Sequence, residues 1–138
     1  MDIILKILLA TTTALILHEL SHLLVIIYYK IPIKAIIITK WTAAGFLVDN
    51  ETYMNDPKKL TLLHFIPLTG CLIAFINLNE PALLMFPLVN IFGGIGDMYY
   101  YYRYISLPLE ERIDWANRSD EKIKKSIIWM KEFHPKTT

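Results

Sequence analysis

Three stretches of this chain are almost free of charge, and each is close to the length that a helix needs to cross a bilayer. They are Ile7 to Tyr29, interrupted only by Glu19; Leu60 to Leu78, with no acid or base; and Pro81 to Tyr102, interrupted only by Asp97. About 20 apolar residues at 1.5 Å rise cover the ~30 Å hydrocarbon core. The expected fold class is therefore an α-helical membrane protein with three transmembrane helices, at about 3–29, 58–78 and 81–105. A 54% hydrophobic composition and a mean hydropathy of +0.39 exclude an ordinary soluble domain of 138 residues. The first apolar stretch lacks a basic leader and a small-residue cleavage site, so it is expected to be retained rather than removed as a signal peptide.

Charge placement predicts orientation. Of 14 Lys and Arg residues, all but Lys6 lie between Lys30 and Lys59 or from Arg103 onward. By the positive-inside rule those two regions face the cytoplasm, with the N-terminus and the Asn77 to Pro81 turn outside, as expected for a multi-pass protein of the cell membrane. Tyr28, Tyr29, Tyr99 to Tyr102 and Tyr104 fit an aromatic belt at the same face. A net charge of +1 gives no reason to expect nucleic acid as a partner. Cys71 is the only cysteine, which excludes an internal disulfide and a thiolate metal cluster.

Between the first two helices, Ile33 to Thr39 is rich in β-branched residues, and Phe46-Leu47-Val48 follows Ala43-Ala44-Gly45. This predicts a short membrane-surface β-hairpin at about 31–50. Beyond the 1–105 core, residues 106–138 read as an amphipathic cytoplasmic tail of one or two helices. Ser119 or Asp120 would cap the last, with Ile123, Ile127 and Met130 on its apolar face. The Lys122, Lys124, Lys125 and Lys131 run fits a solvated or headgroup-facing surface.

Within the first helix lies His18-Glu19-Leu20-Ser21-His22. Residues four apart share a helical face, so the two imidazoles can reach one ion while Glu19 stands ready to take a proton from water. With four histidines and seven glutamates in 138 residues, this spacing arises by chance at a frequency of about 0.006. Ionisable groups inside a membrane span cost roughly 2.5–3.5 kcal/mol each, which makes three of them in one helix hard to explain as idle. A catalytic zinc site takes three protein ligands, and Asp97 is the one acid available within the other spans. Counted from Lys30 and Arg103, His22 and Asp97 lie about 12 and 9 Å deep at 1.5 Å per residue. Around Asp97, the residues Asn90, Gly93 and Gly94 share its stripe. The glycines permit close helix approach, and Asn90 is open to a role in orienting a ligand, in stabilising an oxyanion or in joining helices. His64 either borders the site or sits at the membrane interface, the latter favoured, and His134 is expected in solvent, while Thr11, Thr12 and Thr13 are expected to satisfy backbone or neighbouring helices.

A His-Glu-x-x-His in the first core helix, a membrane-surface β segment and an acid on the third core helix resemble the site-2 protease type of intramembrane metalloprotease. The short length and the Asn90 to Asp97 pattern, with Gly96 directly before Asp97, look closer to the small zincin peptidases related to that clan. Met98 stands where site-2 proteases carry a Gly after the Asp. The resemblance implies one zinc ion held by His18, His22 and Asp97, with Glu19 as the base that activates water, cleaving transmembrane or membrane-proximal peptides. A substrate helix must be unwound for this, and the strands around Ile33 to Val48, with Ile36 and Ile38 as the candidate residues, could hold it extended by β-augmentation. The alternatives are a catalytically silent zinc-binding adaptor and a metal carrier. Glu19 is superfluous to the first, and the apolar run from Ile7 to Leu17 gives the second no continuous polar path.

Overall fold

The computed structural model describes residues 2–40 and 45–133; His134 and Ala43-Ala44 lie outside that range. The first helix, α1 (Ile3–Tyr28), starts where the Asp2 carboxylate accepts the Ile4 N–H at 3.2 Å, satisfying a donor that every helix start leaves free. Thr11, Thr12 and Thr13 turn their hydroxyls onto the carbonyls of Ile7, Leu8 and Leu9, which hides three polar groups on an apolar helix. At its other end Lys30 takes a left-handed conformation (φ 53°). The Ile31 N–H then reaches Ile26 O at 2.9 Å and the Lys30 N–H reaches Ile27 O at 3.1 Å, closing the helix while Ile26 and Ile31 pack together in the core.

The second span was expected as one helix and has two parts. After α3 (Pro57–Phe65), residues Ile66–Ile76 wind as a 3₁₀ helix. Pro67 is the cause: it has no N–H to donate, and its ring disfavours continuation of the α-helical ladder. A 3₁₀ segment rises about 2.0 Å per residue, so the stretch still reaches across a bilayer. A turn at Pro81–Leu84 leads into α4 (Met85–Ile105), which runs parallel to α1. Ile3–Tyr28, Pro57–Ile76 and Pro81–Ile105 are each long and apolar enough to cross a membrane. Large apolar side chains on all three point outward, among them Leu24, Phe75 and Phe92, a surface suited to lipid. At the end remote from the sheet, Lys6 Nζ meets Glu80 Oε2 at 2.8 Å and ties α1 to the turn before α4.

The expected hairpin is present as β1 (Ile33–Thr39) and β2 (Gly45–Val48), antiparallel, with Ile36 opposite Phe46 and Ala35 opposite Leu47. A third strand was not expected. Residues Ile127–Glu132 form β3 rather than a helix and pair antiparallel with the other side of β1, giving the order β2-β1-β3. Ile127, Ile128 and Trp129 are β-branched or aromatic, and an open edge on β1 was there to receive them, so tertiary pairing outweighed the helical spacing. One consequence corrects the substrate-strand expectation. Ile36 is paired on both sides, with Phe46 and Lys131, and Ile38 is paired with Trp129, so β1 is the central strand. A central strand has no free backbone to lend; among the described residues, the outer edges belong to β2 and β3.

A short helix, α2 (Asn50–Met54), and α5 (Leu109–Lys124) close this end of the molecule. The single α5 runs through Ser119 and Asp120, so neither caps a helix. It is docked by specific bonds: Arg112 donates to Met54 O at 2.8 Å and Leu107 O at 3.1 Å, and Asn50 Nδ2 donates to Asn117 Oδ1 and Asp120 Oδ2 at 2.9 Å. Ile123 of α5 and Ile127 of β3 cover Ala35, Ile37 and Leu47, while Val48 and Phe46 join the core around Tyr53 and Met54. The sheet is thus a layer between α5 and the helices.

Burial pushes the Asp120 carboxyl above its ordinary value of 3.8, against the opposing pull of the Asn50 hydrogen bond and of Lys34 and Lys124. The folded state therefore holds this proton more tightly than the unfolded chain, and ionisation costs stability at neutral pH. D120N should raise the unfolding temperature at pH 7. That advantage should shrink as pH falls through the raised pKa towards 3.8, where the wild-type carboxyl is itself protonated; thermal unfolding of the two proteins across pH checks it.

Candidate metal centre

One turn of α1 separates His18 from His22, and their rings meet edge to face with centroids 5.2 Å apart. A third group can join them only if α4 comes close. Gly93 makes that possible: a Cβ there would stand 2.7 Å from His18 Cε1 and 3.0 Å from Nε2, so any side chain would force the helices apart. One turn beyond Gly93, Asp97 places Oδ2 at 3.4 Å from His18 Nε2 and 3.4 Å from His22 Nε2.

These three residues could hold a metal ion, with all their ligand atoms within 4.8 Å of one another. Ligands at about 2.0–2.1 Å from a tetrahedral ion lie about 3.3–3.4 Å apart, the separation seen here between Asp97 and each imidazole. Asp97 Oδ2 is also buried without a hydrogen-bond partner. A carboxylate oxygen left so between two imidazole nitrogens is costly unless something cationic sits among them. The residues present fit a small divalent cation.

The other nitrogen of each ring is spoken for, which settles the tautomers. Asn90 Nδ2 donates to Phe86 O at 2.7 Å, leaving Oδ1 to accept from His18 Nδ1 at 3.1 Å. His22 Nδ1 donates to Leu63 O at 2.7 Å. Both Nε2 atoms therefore present lone pairs towards Asp97, the arrangement that orients histidine ligands. Asn90, only 1% exposed, serves to orient His18. Its amide lies on the Nδ1 side of that ring, away from the ligand atoms, so the oxyanion role considered for it does not follow.

Leu63 O is free because of Pro67. In an unbroken helix the carbonyl of residue 63 would accept from the N–H of residue 67, which proline lacks. The proline at the start of the 3₁₀ segment also releases the acceptor that orients His22. Nothing in a metal-ligand motif points to a carbonyl 41 residues away; the readable signal was a proline four residues beyond it. Gly70 contributes in the same region, since a Cβ there would lie 2.6 Å from Asn90 Nδ2 and push it off His18. Gly94 faces Leu68, whereas a Cβ on Gly96 would meet no atom within 4 Å.

The three ligands open onto a cleft of about 360 Å3 that Glu19 also lines. Gly45, Phe46 and Val48 of β2 form one wall, and Gly96 and Tyr100 of α4 another. His64 lines this cleft as well, the alternative to a place at the interface alone. It is buried, donates Nδ1–H to Leu60 O at 2.8 Å and packs its ring against Tyr101 and Tyr104. Cys71 lies in the 3₁₀ segment away from the cleft, half-buried and unpaired by disulfide. No protein-family model, curated protein or solved structure matches this chain.

Two glycine substitutions separate packing from chance. G93A should abolish stoichiometric metal binding by displacing His18, while G96A, three residues along the same helix, should bind as wild type; metal analysis of the purified proteins decides. P67A should restore the helical acceptor bond to Leu63 O, compete with His22 and weaken metal affinity about 10–100-fold, as loss of a ligand's orienting partner does. Titration with a competing chelator measures it.

Proposed function

We propose that this chain is a zinc-dependent intramembrane endopeptidase that hydrolyses a peptide bond of a transmembrane or membrane-proximal substrate. The observation that carries the reading is the set of two orientated Nε2 atoms, each 3.4 Å from one partnerless carboxylate oxygen, with Glu19 in the same cleft. An N, N, O donor set of this kind suits zinc, and one coordination position is left for water. Zinc bound there supplies Lewis acidity, which acidifies water and polarises a carbonyl.

The chain's own residues account for the remainder. Glu19, next to His18 in sequence and lining the cleft, takes the proton from the attacking water and returns it to the departing amine. Ionised, it is acceptor-only; once protonated, it can donate, so one carboxyl serves both steps. The Nδ1–H of each ring is donated to Asn90 Oδ1 or Leu63 O, which leaves Nε2 of His18 and His22 as the nitrogen that would hold the ion. The surrounding apolar side chains, Ile26, Leu63 and Val48 among them, limit the water that reaches the site.

A substrate must be extended where it is cut. With β1 enclosed, β2 is the strand that borders the cleft, its outer edge unpaired among the described residues, and a peptide added there would run past His18, His22 and Asp97. The basic residues of the sheet end favour the cytoplasmic face for that opening under the positive-inside rule.

Purified wild type and E19Q in detergent, each tested for bound zinc and for cleavage of a panel of membrane-spanning peptides, decide between enzyme and scaffold. The expected outcome is equal zinc content with cleavage at least about 100-fold slower in E19Q, the scale of a lost general base, and loss of wild-type cleavage on chelation. Wild type that holds no zinc sinks the proposal. Zinc without any cleavage that depends on Glu19 leaves a metal-bound adaptor in its place.

A further inference from the structure

Away from the metal, the junction of α4 with α5 holds a recess of about 350 Å3 lined by Arg103, Trp115, Arg118, Ser119 and Lys122. Three of the five side chains are cationic and none is acidic. Among the described residues, none of the three makes an ion pair, and the neighbouring Glu121 is taken by Lys124 at 2.6 Å. Arg118 donates only to the Asp114 carbonyl of its own helix, at 3.4 Å. The Arg103 guanidinium lies over the Trp115 ring, 5.5 Å from its centroid, and its Nε–H is buried without an acceptor. A buried donor on a fixed, stacked guanidinium, with two more cations beside it, lacks its anion.

We infer that this recess binds the phosphate group of an anionic phospholipid. Guanidinium groups suit it because their planar fork meets phosphate oxygens in pairs. Its position supplies the source. Arg103 stands two residues before the end of the apolar span Pro81–Ile105, on the last turn of α4, and the tyrosines Tyr99 and Tyr102 beside it are exposed, at the depth where aromatic rings meet headgroups. A lipid phosphate therefore arrives at this level without leaving the bilayer, and local anionic charge raises its occupancy further. Holding it would clamp α5 to the membrane surface, and with α5 the Ile123 contact that covers the sheet. The inference rests on α4 spanning a membrane and is independent of the catalytic reading.

Trp115 is a built-in reporter. In a W41F/W129F background it is the sole tryptophan, and its fluorescence in vesicles can be quenched by brominated phosphatidylglycerol or brominated phosphatidylcholine. Mixed vesicles in which one lipid is brominated at a time give the relative occupancy beside the ring. The expected result is at least about a threefold preference for the anionic lipid, falling to near unity in R118Q/K122Q and in R103Q and partly restored in R103K. Both glutamine variants should keep the helical circular dichroism and unfolding temperature of the background protein, which separates loss of the site from loss of the fold. Equal quenching by the two lipids in the background protein overturns the inference, as does a preference that survives all three neutralising changes. Release of the quenching by millimolar inorganic phosphate would assign the recess to soluble phosphate instead of lipid.

Discussion

The packing of α4 against His18 is the contact on which the rest of the structure depends. Two histidines one turn apart supply only two ligands on one side of an ion, and the third has to come from another helix. At the usual 8–10 Å between helix axes, any side chain at the crossing would keep Asp97 at a distance. Gly93 removes that side chain at the point where His18 needs the space, and Asp97 follows one turn later at 3.4 Å from both rings. In a membrane, where lipid tails offer no hydrophobic drive for helices to associate, such close approach and the polar groups it joins supply the attraction.

Around that contact, departures from regular helix serve the site. Pro67 breaks the second span's α-helical ladder, and the carbonyl it releases orients His22. Gly70, in the 3₁₀ segment that follows, leaves room for the Asn90 amide that orients His18. An uninterrupted second helix would cross a bilayer equally well, but its carbonyls would be consumed internally. The left-handed Lys30 has a comparable effect at the end of α1, turning the chain sharply into β1 so that the sheet lies over the cleft.

The sheet and α5 form a lid-like layer built from both ends of the sequence. β1 is enclosed between a neighbour close in sequence and one nearly a hundred residues later, with Ile37 paired to Met130. Arg112, Asn50 and Trp115 then lock α5 to α2 and α4. What resembles a detachable polar tail is in this way part of the packed fold, with β3 paired to β1 and α5 bonded to α2.

Much of this was legible because long apolar helices leave coarse marks in a sequence. Apolar run length and the isolation of Glu19 and Asp97 within those runs are properties that act residue by residue, so they determined three stretches long and apolar enough to cross a membrane and the His18, His22 and Asp97 grouping. Helical periodicity did the same for the shared face of the two histidines. Only the tertiary structure decided that Ile127 to Glu132 is a strand, that Ile36 is enclosed, that His64 faces the cleft and that Asn90 and Leu63 O orient the rings. Each of these depends on which unsatisfied backbone or side-chain group lies opposite, a property of two distant segments meeting rather than of either one.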